Sequence, residues 1–452
     1  MSGTYRRLGR ATLPRAACLA AVLYAAGAAA ADPPLRYDLG VGERLVYERR
    51  VRVLPLDGDS VVQRYSQQLQ LWCLASDLKE DYFLAELIHV TDQHAEPARG
   101  ALFHLDHRGR RRFPDEILAR LRGLDPLFEL LPLLPAPLDS DSSWLTEPDH
   151  FGRCWRCTRA PPTDDGPIRI DFVLEDPTGV SETCAVEQRG AYWFDAQAGI
   201  VTRIEAEWTD RHAQRRTLAV TRLHNRLKQD ELWCHRRITE ADKFLRTLRL
   251  EDRLLAQVTA GPTSVERILA HADRLWLELV TELPDRPESP LRRLARAHRM
   301  LLTKETGRYR ERAALAREWL GAAAAHWSLQ TSDGRTVRSE GMRDRYVLEY
   351  FWSADSLWSL RSFETLRQLQ KAVPAEDVRV VCLNIDADVA AGRRAAQLCG
   401  TELTHVLAGP PVGGQPPREL PVFRLLDRNS RVLAVYFGWQ PGLAEKISAL
   451  TR

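Results

Sequence analysis

Cys154-Trp155-Arg156-Cys157 is the one C-x-x-C of the chain. Two thiols at that spacing perform disulfide exchange when a helix N-terminus or a basic neighbour lowers the pKa of one of them. The flanks of "HFGRCWRCTRAPP" supply no helix, because the run leads straight into two prolines. Structural bridges are therefore the expected reading: Cys154 or Cys157 with Cys184 across neighbouring strands, and Cys73 as a further partner. An oxidoreductase working through Cys154 and Cys157 is the alternative. Zinc would need a second ligand pair at a recognisable spacing, and Cys184 and Cys234 stand alone. Cys382 falls within an apolar strand and Cys399 at a helix end, so both read as inert thiols.

A second stretch, "YVLEYFWSADSLWSLRSF" from Tyr346 to Phe363, joins an apolar strand to a helical period through a Trp-flanked turn. Such a turn is where a pair of thiols would be activated, yet Ser356 and Ser359 occupy it. A serine hydroxyl has no accessible anion near neutral pH and forms no reversible S–S bond. No Ser-His-Asp pattern accompanies them; His405 is solitary and reads as an exposed or packing residue. At a helix start, a serine oxygen can instead accept from the free amides of the first turn.

The elements that must hold these residues fall into three blocks, so the chain reads as multidomain. Residues 35–225 show period-two runs separated by turn signals, such as Asp57-Gly58-Asp59 and His107-Arg108-Gly109. Charges at alternate positions give each strand one wet face, which predicts antiparallel sheets in a mainly β (α+β) domain. The stretch "PDEILARLRGLDPLFELLPLLPAPL" predicts a helix or two covering an open sheet face. Residues 228–320 repeat apolar positions at three and four, with breaks at Gly261-Pro262 and Pro284–Pro290, and predict two or three antiparallel helices. Residues 326–452 alternate strands and helices, with Leu360, Phe363, Leu366, Leu369 and Val373 on one helix side. A hairpin turns at Arg428–Arg431, and a closing helix follows, giving an α/β domain.

At 452 residues and a net charge of +3, the chain carries no field that argues for nucleic acid. The basic run Arg108–Arg112 lies at a hairpin tip among Asp106, Asp115 and Glu116 and reads as a solvated turn. Trp144, Trp155, Trp193 and Trp208 suggest an aromatic ligand cleft, set against ordinary core packing. Arg6, Arg7, Arg10 and Arg15 precede an uncharged run from Ala16 to Ala31, the layout of a signal peptide over residues 1–31 cleaved after Ala30 or Ala31. An uncleaved anchor is the alternative, although the run is shorter than the roughly 20 residues a comfortable span needs. No later stretch is expected to cross a bilayer, and the mature chain is expected in an extracytoplasmic compartment, periplasmic or secreted.

The last block resembles the extracytoplasmic thioredoxin-like thiol-disulfide oxidoreductases and related peroxiredoxins. The resemblance is carried by Asp333-Gly334, Arg345 before the first core strand, Phe351-Trp352, Leu420-Pro421 and "VFRLLDRNSRVL", and it spans roughly the last quarter of the chain. It implies a thioredoxin fold whose two active-site positions fall on Ser356 and Ser359, faced by a cis-proline at Pro421. Tyr350 stands where several relatives keep a buried acid or Asn. The resemblance thus implies a degenerate active site with no catalytic residues and no cofactor or metal. Its groove, at Trp352, Leu357, Trp358, Leu420 and Pro421, would contact an unknown exported protein or peptide by strand addition.

Overall fold

The computed structural model describes residues 35–451 except 78, 91–97, 115–130, 133, 135–142, 147–153, 162–165, 176–185, 211–214, 261–263, 286–287, 332, 343, 355, 400–402, 408–418 and 441. The expected signal peptide at 1–31, Cys18, Cys184 and most of the expected cover between β-runs lie outside the described residues.

Eleven strands form one antiparallel sheet: β1 (Glu43–Pro55), β2 (Gln63–Ser76), β3 (Glu80–Val90), β4 (Arg99–Asp106), β5 (Arg111–Arg112), β6 (Ser143–Leu145), β7 (Cys154–Arg159), β8 (Ile168–Glu175), β9 (Val186–Asp195), β10 (Ile200–Asp210) and β11 (Arg215–Lys228). The order is β5-β4-β3-β2-β1-β11-β10-β9-β8-β7-β6, so the first and last strands pair at the centre and the chain meanders out to each edge. Several antiparallel sheets were open from the sequence; long β1–β11 pairing merges them into one. Alternation holds in β1, where Glu48, Arg50 and Arg52 are exposed between buried Tyr47, Val51 and Val53. Arg49 keeps this parity despite its charge: it is buried, with its guanidinium 5.1 Å from the Trp208 ring. Of the run Arg108–Arg112, residues 108–110 form the expected turn, in which Asp106 Oδ1 accepts from the Arg108 and Arg110 amides and Gly109 takes a φ of 86°, while Arg111 and Arg112 already belong to β5.

Among the described residues four helices follow where two or three are predicted: α1 (Glu231–Ala260), α2 (Val265–Glu282), α3 (Pro290–Lys304) and α4 (Thr306–Trp319). The first is capped by Asp230, whose carboxylate accepts from the Trp233 amide at 2.7 Å. α3 and α4 are divided at Glu305, whose ψ of 1° leaves helical geometry just ahead of helix-poor Gly307. Stacked Trp72 and Trp233 seat α1 on β2, and Arg293 of α3 pairs in a fork with fully buried Glu86 of β3. Inside the helices, Glu251 accepts from Trp276 Nε1 at 3.0 Å and lies 2.8 Å from His298 Nε2.

The C-terminal unit contains a small hairpin of β12 (Ser328–Gln330) and β13 (Thr336–Arg338) turning at Gly334, then β14 (Tyr346–Trp352), α5 (Leu357–Ala372), β15 (Val378–Asn384), α6 (Val389–Cys399), β16 (Thr404–Leu407), β17 (Val422–Leu426), β18 (Val432–Phe437) and α7 (Leu443–Thr451). The sheet order is β16-β15-β14-β17-β18, with β14, β15 and β16 parallel and β17 and β18 antiparallel. Together with the cis Leu420–Pro421 bond, this is thioredoxin-like topology.

Both parallel crossovers step in the same direction, so right-handedness puts α5 and α6 on one face. There Phe363, Ala395 and Leu443 of the three helices pack with Leu348, Tyr350 and Trp352. The opposite face, holding Val347 and Phe351, is covered by Trp327, Met342 and by Ala316 and Trp319 of α4. The C-terminal core therefore draws on residues ahead of His326. On that face Glu349 pairs with Arg424 at 2.6 Å, and the Arg424 guanidinium lies 4.7 Å from the ring of Trp319 and 5.1 Å from that of Phe351.

Candidate functional site

The site is built at the end of β14. Nearly every residue of that strand is buried because both sheet faces are covered, which explains an apolar run that only the paired Glu349 interrupts. After Trp352 the chain turns, with the Ala354 amide donating to Asp386 Oδ2 at 2.8 Å and so tying the turn to the end of β15. Asn384 Nδ2 donates to the same oxygen at 2.7 Å. Ser356 then caps α5: its backbone is extended, with φ −101° and ψ 107°, and its hydroxyl accepts from the Ser359 amide at 3.2 Å. Ser359 is fully buried; its Oγ accepts from the Ser353 amide at 3.3 Å, and its carbonyl accepts from the Tyr350 hydroxyl at 2.5 Å. Both hydroxyls thus accept from backbone amides. Neither of these bonds supplies a base that would make a nucleophile.

Beside this turn, β17 begins with Val422 opposite Phe351, which brings cis Pro421 to the same end of the sheet as Ser356. The Pro421 carbonyl accepts from the Gly438 amide at 2.8 Å, and Gly438 holds a φ of 75° suited to glycine. Three chain segments therefore converge: the start of α5, the proline loop and the loop after β18. Trp439 of the last loop stacks on Trp358 with ring centres 5.9 Å apart, and its Nε1 donates to Thr365 Oγ1 at 3.3 Å. Trp358, Trp439 and Leu420 are all partly exposed, so the convergence has an aromatic rim.

Ser356, Leu357, Trp358 and Ser359 lie at the start of α5, and Leu420-Pro421 lies at the same end of the sheet, just ahead of Val422 opposite Phe351. Pro421 itself is buried. Trp352 requires correction as a groove residue: it is 0% exposed, edge-on to Phe363 and His405 within the core, and offers no surface. Both faces of β14 are covered, so a ring at this position is buried whichever face it points to. Trp439 was missed; its signal was an aromatic two residues past the last strand, in "FGWQPG". His405 is buried beside Trp352 and Phe363, which is packing and not exposure.

The cysteines fall elsewhere. Cys382 is fully buried in β15. Cys154 and Cys157 both lie in β7, opposite Glu175 and Phe172 with no bulge between, so they point to opposite faces of the sheet. Three strand steps separate their Cα atoms by roughly 10 Å, beyond the reach of about 7 Å for a disulfide. Burial pushes the Cys157 thiol up to about 12, despite a hydrogen bond with Tyr192 that opposes the rise. Burial likewise raises the Cys73 thiol. The expected bridge joining Cys73 to the C-x-x-C does not form: Cys73 and Cys157 are free thiols, in strands six places apart in the sheet order. The four tryptophans do not converge either. Trp193 faces Arg203 and Trp208 faces Gln188 at positions of opposite parity in β10, so these two lie on opposite faces.

No protein-family model matches the chain, and no curated protein matches it. Solved structures do. One described as thiol:disulfide interchange protein DsbE from Chlorobium tepidum is 25% identical, over 29% of this chain and 94% of that one, with a TM-score of 0.26. The thioredoxin domain of a thiol-disulfide oxidoreductase from Bacteroides vulgatus is 16% identical, over 29% and 98%, with a TM-score of 0.26. A thiol-disulfide oxidoreductase from Bacteroides fragilis is 21% identical, over 28% and 99%, also at 0.26. Among the described residues no helix is long and apolar enough to cross a membrane.

Proposed function

We propose that this is an exported, non-catalytic protein whose thioredoxin-like unit has lost dithiol exchange and serves as a contact surface for an exported protein or extended peptide. The observation that carries this reading is the pair Ser356 and Ser359 at the start of α5, beside cis Pro421, with both hydroxyls engaged by backbone amides. A thiolate is the obligatory attacking group in exchange, and a helix N-terminus activates a thiol but leaves a hydroxyl protonated. What survives is shape: a backbone edge at Leu420-Pro421 and the stacked pair Trp358 and Trp439 beside it. An extended segment pairs with such an edge through main-chain hydrogen bonds while aromatic rims select side chains. Export rests on the basic and apolar layout of residues 1–31.

The test is capture of exported proteins by the whole chain, repeated with Trp358→Ala and with Leu420→Asp. At least one partner should be retained by the parent and lost by both variants. Partners indifferent to both changes would move the contact surface away from this groove. The second reading, exchange by Cys154 and Cys157, is disfavoured by their opposite facing in β7 and the raised Cys157 pKa.

A further inference from the structure

Glu419, immediately before Leu420-Pro421, is held by a different part of the chain. Its carboxylate accepts from Arg312 Nε at 2.5 Å, from Arg312 Nη2, and from Arg308 Nη2. The two arginines are one helical turn apart at the start of α4, so they present a single face to one acceptor. Arg312 is held further by aromatic rings, with its guanidinium 5.2 Å from Tyr309 and 5.9 Å from Phe437. The carboxylate also borders the loop after β18, since a Cβ added at Gly438 would lie 4.0 Å from Glu419 Oε1.

The helix that supplies these arginines is itself fixed to the sheet. Trp319 at its far end is in the C-terminal core, and the Gly321 amide donates to the Val432 carbonyl at 2.8 Å. Arg308 and Arg312 therefore hang from a rigid element, and charge-assisted bonds from a rigid donor define the acceptor's place more closely than a loop could alone. Burial by itself would raise the Glu419 carboxyl, yet the hydrogen bonds from Arg312 and Arg308 outweigh it and hold the group below the usual carboxylate range.

We infer that Arg308 and Arg312 are positioning residues for the cis-proline loop, so that the groove is assembled jointly by the helical segment and the thioredoxin-like unit. The inference rests on the groove reading for its functional meaning. Its consequence is that the Leu420-Pro421 edge keeps its register against Gly438 only while α4 is docked. A movement of α4 would reach the groove through Glu419.

Amide hydrogen exchange on the whole chain, with no partner present, tests this. The Gly438 amide, which donates to Pro421, reports the loop; the amides of Leu348 and Val381 report the sheet. In Arg308→Ala/Arg312→Ala the Gly438 amide should exchange at least about tenfold faster while the sheet amides hold their rates, as expected for a local opening. Arg308→Lys/Arg312→Lys should recover part of the protection. An unchanged Gly438 rate, or an acceleration shared equally by Leu348 and Val381, would overturn the inference. Either result is obtained without any partner, so it is distinguishable from failure of the groove reading, which the capture variants address separately.

Discussion

The Ser356 hydroxyl accepts from the Ser359 amide across 3.2 Å and so closes the first turn of α5. The cap satisfies an amide that the helix cannot satisfy itself. Ser356→Ala should therefore lower stability by about 1 kcal/mol, read as a shift in the urea midpoint with an unchanged slope. Ser356→Asp, which restores an acceptor, should regain most of the loss.

Glu349 and Arg424 are a buried pair on neighbouring strands, with side chains 1% and 4% exposed. Trp327 Nε1 donates to the second Glu349 oxygen at 3.0 Å. Removing one partner strands the other charge in the core, so Glu349→Ala should cost roughly 3–5 kcal/mol. A fall in stability well under 1 kcal/mol in urea unfolding would mean that water reaches the pair.

Trp319 covers a sheet face that the unit beginning at His326 does not cover alone. A fragment from Thr306 to Arg452 should unfold cooperatively at higher urea than one from His326 to Arg452. Equal midpoints would show that α4 contributes nothing to this core.

Glu419 makes the clamp pH-dependent. Its folded pKa lies below the ordinary glutamate value of 4.5, so its stabilising contribution is full above that value and is lost as pH falls through the lower, folded one. The stability difference between the parent and Glu419→Gln should be present at about pH 7 and shrink toward about pH 3. A difference constant across that interval would contradict the clamp. The Cys157 thiol, by contrast, should resist alkylation at about pH 8 in the native chain and react promptly in urea, because its native pKa of about 12 leaves little thiolate.

Much of this was legible in the sequence because it depends on local chemistry. Period-two runs around Gly-containing turns gave the strands, and the run from Tyr346 through Ser359 gave a strand, a turn and a capped helix. Burial was harder: Trp352 and Trp358 lie six residues apart in one motif, yet only strand and helix geometry separates a core ring from a rim ring. The C-x-x-C was likewise ambiguous until β7 placed its thiols on opposite faces. The least legible feature was the Glu419 clamp, because its partners are more than a hundred residues away and nothing near Glu419 marks them. Long-range pairings of this kind, including β1 with β11, are fixed by tertiary packing and leave no periodic signal.

The most direct test is insulin reduction by the whole chain beside its Ser356→Cys/Ser359→Cys variant, with the variant's thiols mapped. The parent should show no turnover above the reductant alone, while the variant should form an intramolecular disulfide between the two introduced thiols. Appreciable turnover by the parent would contradict the non-catalytic account, and a variant unable to close that disulfide would contradict the geometry assigned to the start of α5.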